Sequence, residues 1–432
     1  MIYENFKLNE INLIKFSVVI LILLIVSKFF LTNTNQLINF SYADKVYNKK
    51  INNLENKERD WGPVFYKAYA EINESSKKII IFKIVEFTCL FLSILVIFSI
   101  YKKLDFEDIN YQYFKMFNLI IILLSSSIYY SFIYGSGDLI TSFIVISQFY
   151  FFLTRKYFLS CVLIFIGVYY KIVTILFFLP ILFFSFISKT EKKLFFYACI
   201  IFIFLLLSSL ILKYEFIFYP YNIFNNFLSA NDIFIPPLSY ELFDIRTFVI
   251  KILSYSKLVS FEYSNDYSKL NFNMIIIFSA IYSLCTLISV IFLKTLELAS
   301  KYKNNRDFYL VNFFIFYGFI YLLLFFEMSV EKSLMAILSI ISPLILISYK
   351  KKLPYLPIFL FLLGLFLYGN IFPISVMQNI QILNFFGKLL SIAGPISPWG
   401  QYIFYNVPYF GLIFIFISYV LLFREKINPK RF

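Results

Sequence analysis

Apolar runs, each ended by a charged or turn-forming break, succeed one another along nearly the whole 432-residue chain. They fall at residues 11–31, 79–101, 114–134, 139–154, 157–170, 172–188, 194–212, 272–293, 309–326, 333–349, 353–368 and 402–423. A helix of about 20 apolar residues crosses the hydrocarbon of a bilayer, so the pattern predicts about twelve transmembrane helices. The fold class expected is therefore all-α: a polytopic helical bundle forming a single integral membrane domain over 1–432. Three longer and more polar segments interrupt the runs, at 32–78, 213–271 and 369–401. Within the second, residues 246–258 suit an interfacial amphipathic helix. The first run carries Lys15 and Lys28 near its ends, where they can snorkel. No small-residue cleavage site follows it, so it reads as a retained helix and not a signal peptide.

If every run crosses, the short basic breaks at 102–103, 155–156, 189–193, 294–306, 350–352 and 424–431 all land on one side. Lysine and arginine collect in cytoplasmic loops, which makes that side cytoplasmic and puts both termini there. The three long segments then lie on the outer face. Segment 32–78 is itself lysine-rich and argues mildly the other way; its acids nearly offset its bases, but acids count for little in this rule.

Composition agrees with a membrane protein: 60% of residues are hydrophobic and the mean hydropathy is +0.79. The formal charge of +14 could suggest a nucleic-acid partner, but basic cytoplasmic loops account for it, and none is expected. Cys89, Cys161, Cys199 and Cys285 all fall within apolar runs, without metal-ligand spacing and with no indication of a disulfide. The chain has no histidine. Histidine-based nucleophilic, metal or proton-relay mechanisms are thereby excluded, and general-base chemistry falls to a carboxylate.

The candidate chemistry sits at the breaks. Run Tyr157–Tyr170 is short for a span and ends at Lys171, just inside one face of the membrane. An ionisable group there is costly and points to function, although snorkelling to the headgroups would also account for a lysine. Gly135-Ser136-Gly137-Asp138 lies on the same side. Asp138 either supports a helix N-terminus through capping and the macrodipole or contacts substrate. Lys83 and Glu86 share a helix face at three-residue spacing and read as a mutually neutralising pair. In segment 32–78, Asp44 and Asp60 are either solvated loop acids or bases at the membrane surface, and Trp61-Gly62-Pro63 opens a turn. Arg246 has the donor fork that suits phosphate. Glu331-Lys332 is either a weak surface pair or a substrate contact.

Taken in order, these features resemble the GT-C glycosyltransferases that take a sugar from a polyprenyl-phosphate carrier, in particular GPI mannosyltransferase I catalytic subunits and bacterial polyprenol-phosphate-mannose-dependent mannosyltransferases. The likeness is best over 135–180: a Gly plus polar residue opening a span, a basic turn, a short span containing Gly167, then Lys171-Ile172 and Pro180. Asp44, Val46-Tyr47 and Trp61-Gly62-Pro63 match the family's first outer loop. Ser329-Val330-Glu331-Lys332 stands in place of a Ser-x-Trp-Glu/Asp-His segment, with Val330 for Trp and Lys332 for His.

The resemblance implies an inverting transfer of a hexose, mannose by the nearest likeness, with Asp44 or Asp60 as general base. It also implies that Lys171, Arg246 and Lys332 face the lipid phosphate, and that Asp138, Glu331 and Trp61 contact substrate. The implied partners are a polyprenyl-phosphate-linked sugar donor, a glycan or glycolipid acceptor and membrane lipid, in a bacterial inner membrane. No nucleotide-binding glycine loop is present, no cofactor is fixed, and a divalent metal remains open. Two rival readings are a lipid-linked-sugar flippase or secondary carrier and a non-catalytic subunit that keeps the scaffold.

Overall fold

The computed structural model describes residues 2–31, 76–103, 108–125, 128, 131, 137–171, 173–187, 192–212, 307, 310–311, 314, 337, 340–341, 344, 355–369, 411, 413–415, 417–418 and 421. The described part is helical, with no β-strand among the described residues. Its helices are α1 (Ile2–Leu31), α2 (Ser76–Lys103), α3 (Asp108–Leu124), α4 (Asp138–Leu153), α5 (Tyr157–Tyr170), α6 (Val173–Ile187), α7 (Lys192–Leu212) and α8 (Tyr355–Gly369). By length and composition, one described helix, Ile80–Lys103 of α2, is sufficient to cross a membrane.

The hydrophobic pattern locates most of these helices within two or three residues, and α5 has both of its expected ends. Two differ more. α1 begins at Ile2, well before the apolar run, because the mixed-charge start continues its first turns. α3 begins at Asp108, six residues before the expected run, and is continuous to Leu124; Ile128 and Ser131, within the rest of that run, are also helical. Ser76–Lys78, expected in the first outer segment, belong to α2.

Helix α4 is the pivot. It packs against α2 on one side and α5 on another, with α6 alongside, while α1 lies on α3. Twelve of its sixteen residues are buried. The rings of Tyr101 and Phe114 stack 4.0 Å apart where α2 meets α3. Phe149 of α4 stacks on Phe314 at the same separation, and Ile337, Ile340 and Ile341 are buried in the same core. Phe314, from the second half of the chain, thus packs on α4. Gly364 of α8 marks a close helix approach: an added Cβ would lie 2.6 Å from the Gly411 carbonyl oxygen. Small residues permit such crossings.

Exposure runs opposite to a water-soluble fold. α1 exposes Leu13, Phe16 and Leu23, α2 exposes Ile80, Ile81 and Ile84, and α7 exposes Phe196, Phe202 and Phe204. Meanwhile Glu86, Asn118, Asp138, Gln148 and Lys171 are buried. Contiguous exposed apolar faces require a cover of comparable polarity, which lipid supplies.

Several basic breaks gather at one end of this bundle. Lys103 at the end of α2 donates from Nζ to the Leu153 carbonyl at the end of α4, 2.7 Å away, and pairs with Asp307 at 2.9 Å. Lys193 lines a cleft together with Arg155 and Lys156. The α4–α5 turn is tight: Lys156 N donates to Phe151 O and Arg155 N to Phe152 O, the paired bonds of a Schellman motif. Arg155 occupies its left-handed position, φ 61°, where a β-carbon costs roughly 1 kcal/mol. Arg155→Gly is therefore expected to change stability by under about 1 kcal/mol, since glycine relieves the strain but frees the unfolded chain. Thermal unfolding of the detergent-solubilised chain checks this, and a loss above about 2 kcal/mol would show that the arginine head holds the turn.

Candidate functional site

At the opposite end of α4 and α5, four elements bring buried polar groups together. α4 starts from Gly137, whose φ of 71° is the left-handed conformation that glycine adopts without strain. There is no side-chain cap, and Asp138 is the first helical residue. Its backbone N–H donates to Ser131 Oγ at 3.1 Å, and its carboxylate pairs with Lys171. The capping expected of Asp138 is thus supplied by the Ser131 hydroxyl acting on the backbone. The acid itself still sits in the positive first turn.

Lys171 is placed by the way α5 ends. α5 has only 14 residues, about 21 Å of helix, less than the roughly 30 Å of a bilayer's hydrocarbon. Lys171 then adopts an extended backbone, φ −146° and ψ 127°, with its N–H on the Gly167 carbonyl at 2.6 Å. Thr174, in the first turn of α6, bonds back to the Lys171 carbonyl through both its N–H and its hydroxyl, at 3.1 and 3.0 Å. This clasp needs a glycine at 167: a Cβ there would sit 2.7 Å from Thr174 Oγ1.

The result is an ion pair between residues 33 apart in sequence. Lys171 Nζ donates to Asp138 Oδ1 at 2.5 Å, with the two residues only 2% and 1% exposed. Lys171 does not snorkel; it points into protein. Glu86 of α2 completes the cluster. It is fully buried and accepts a hydrogen bond from Ser131 Oγ at 3.1 Å, and the Gly137 N–H lies near its carboxylate. Ser131 therefore links Glu86 to the start of α4. Lys83 lies within electrostatic reach of Glu86, and the Tyr170 phenol within reach of Glu86 and Asp138. Two acidic and two basic side chains thus lie near the start of α4.

Of the residues chosen from sequence, the structure brings Asp138 and Lys171 together. Asp44, Asp60, Trp61, Arg246, Glu331 and Lys332 lie outside the described residues. Among the described residues no group of three or more Asp, Glu or Cys side chains is gathered as a metal ion requires. Sequence spacing reads Glu86 only as a partner of Lys83 within one helix. The signal that could widen that reading is its position in the middle of an otherwise apolar run, where a carboxylate needs a partner on another helix.

Comparison with protein-family models, curated proteins and solved structures finds no match. The functional reading therefore stands on the residues themselves.

Proposed function

We propose that this chain is a multi-span membrane glycosyltransferase, embedded by about twelve helices, that transfers a hexose from a polyprenyl-phosphate carrier to an acceptor on the outer face. The observation that supports this reading is the buried Asp138–Lys171 pair. Lys171, expected from the resemblance to face a lipid phosphate, and Asp138, expected to contact substrate, meet at the end of a bundle whose described outer faces are largely apolar. An ammonium held in place there needs no reorganisation when charge develops on a departing phosphate.

In the proposed reaction the acceptor hydroxyl attacks the anomeric carbon as its proton passes to Asp44 or Asp60. The bond from that carbon to the phosphate oxygen breaks, releasing polyprenyl phosphate with inverted configuration. Lys171 stabilises the leaving phosphate, joined by Arg246 and Lys332, while Asp138 fixes the Lys171 head. A positioned base contributes roughly 10²–10⁴-fold. Asp44→Asn, or failing that Asp60→Asn, is expected to lower transfer in isolated membranes by at least about 10²-fold while insertion persists. Full activity in both variants would remove the general-base assignment.

A second reading, a carrier of lipid-linked sugar, is favoured by one observation: Glu86 places a further buried carboxylate beside the pair. Intramembrane acid and base clusters also serve proton-coupled transport. Appearance of lipid-linked sugar across a vesicle membrane with no new glycosidic bond would select it.

A further inference from the structure

At the end of the bundle remote from Asp138 and Lys171, the first turns of α5 and α7 border an open cleft of about 560 Å³. Its rim carries Arg155, Lys156 and Lys193, and its wall includes Tyr157 and Tyr197. All three cations are exposed, and no acid lines the cleft among the described residues. α5 points its N-terminus, the positive end of its dipole, at this region, since Tyr157 is its first residue. The cleft's Phe158 and Leu159, and Phe196 against Tyr197, are about half exposed.

We infer that this cleft binds the headgroup of an anionic phospholipid. The phosphate sits among Arg155, Lys156 and Lys193, and the acyl chains run down the exposed face formed by Phe158, Leu159 and Phe196. Charge complementarity selects the headgroup, and the continuous apolar wall selects a lipid over a free anion. A zwitterionic lipid offers the same chains but cancels its phosphate with an ammonium. Basic pockets between helices at a membrane surface take anionic headgroups by this physics, each cation near the surface contributing appreciably. The site plays no part in sugar transfer and does not rest on that reading.

Native mass spectrometry of the full-length chain in detergent, titrated with phosphatidylglycerol or with phosphatidylcholine, tests it. The first phosphatidylglycerol adduct is expected to form at about tenfold lower concentration than the phosphatidylcholine adduct. Arg155→Gln with Lys156→Gln and Lys193→Gln abolishes the difference, and Lys193→Gln alone reduces it. Lys102→Gln, at the same end but outside the cleft, leaves it intact. Equal binding of the two lipids, or a preference unchanged in the triple variant, overturns the site. Displacement of the phosphatidylglycerol adduct by millimolar inorganic phosphate overturns the lipid in favour of a free anion.

Discussion

Lys171→Met alone is expected to destabilise the folded chain by about 3–5 kcal/mol, because it leaves Asp138 buried without its cation. Removing one partner of a buried pair is costlier than removing both. Combining Asp138→Asn with Lys171→Met should therefore recover most of the loss. The Asp138→Asn substitution retains the backbone N–H that meets Ser131 Oγ, so α4 still starts in place. Thermal unfolding of the three purified chains in one detergent gives the comparison. A double variant as unstable as the single would mean that the pair contributes attraction well beyond its desolvation cost. Equal stability of all three chains would mean that water reaches Lys171, contrary to its burial.

The second large effect is expected at Gly167. An alanine there brings its Cβ to 2.7 Å from Thr174 Oγ1 and 2.9 Å from Thr174 Cβ, closer than side chains tolerate. α5 and α6 must separate, and Lys171, held at their junction, moves with them. Overpacking of this kind costs roughly 1–3 kcal/mol. The cost to function should exceed the cost to stability, because displacing a catalytic group by about 1 Å can lower a rate about 10²-fold. Thr174→Ala alone removes one hydroxyl bond to the Lys171 carbonyl, worth about 1 kcal/mol. Because it also removes Oγ1 and Cγ2 from the clash, it should partly rescue Gly167→Ala. A double-mutant cycle in stability and transfer rate measures that coupling. Strictly additive effects would show that Gly167 does not act through Thr174.

Much of this arrangement is legible in the chain because hydrophobic periodicity and punctuation are local signals. The short run ending at Lys171 gives both ends of α5 and the unusual depth of its lysine. The basic pairs at 102–103 and 155–156 are expected on one side, and Lys103 does reach the end of α4. What the pattern misses is set by tertiary contact. The Lys83–Glu86 spacing suggests a pair within one helix, and Lys83 does lie within electrostatic reach of Glu86, but Glu86 also accepts a hydrogen bond from Ser131, 45 residues on. No residue spacing encodes that bond. The left-handed φ of Arg155 is equally silent, since arginine carries no turn signature and only the packing of α4 on α5 demands it.

The most direct measurement is sugar transfer in proteoliposomes from radiolabelled polyprenyl-phosphate mannose, comparing the native chain with the folded Asp138→Asn, Lys171→Met double variant. The account predicts a new glycosidic bond with the native chain and a rate at least about 10²-fold lower in the variant, as for loss of one preorganised charge. Transfer at equal rates by both would reduce the Asp138–Lys171 pair to a structural contact and contradict the assignment.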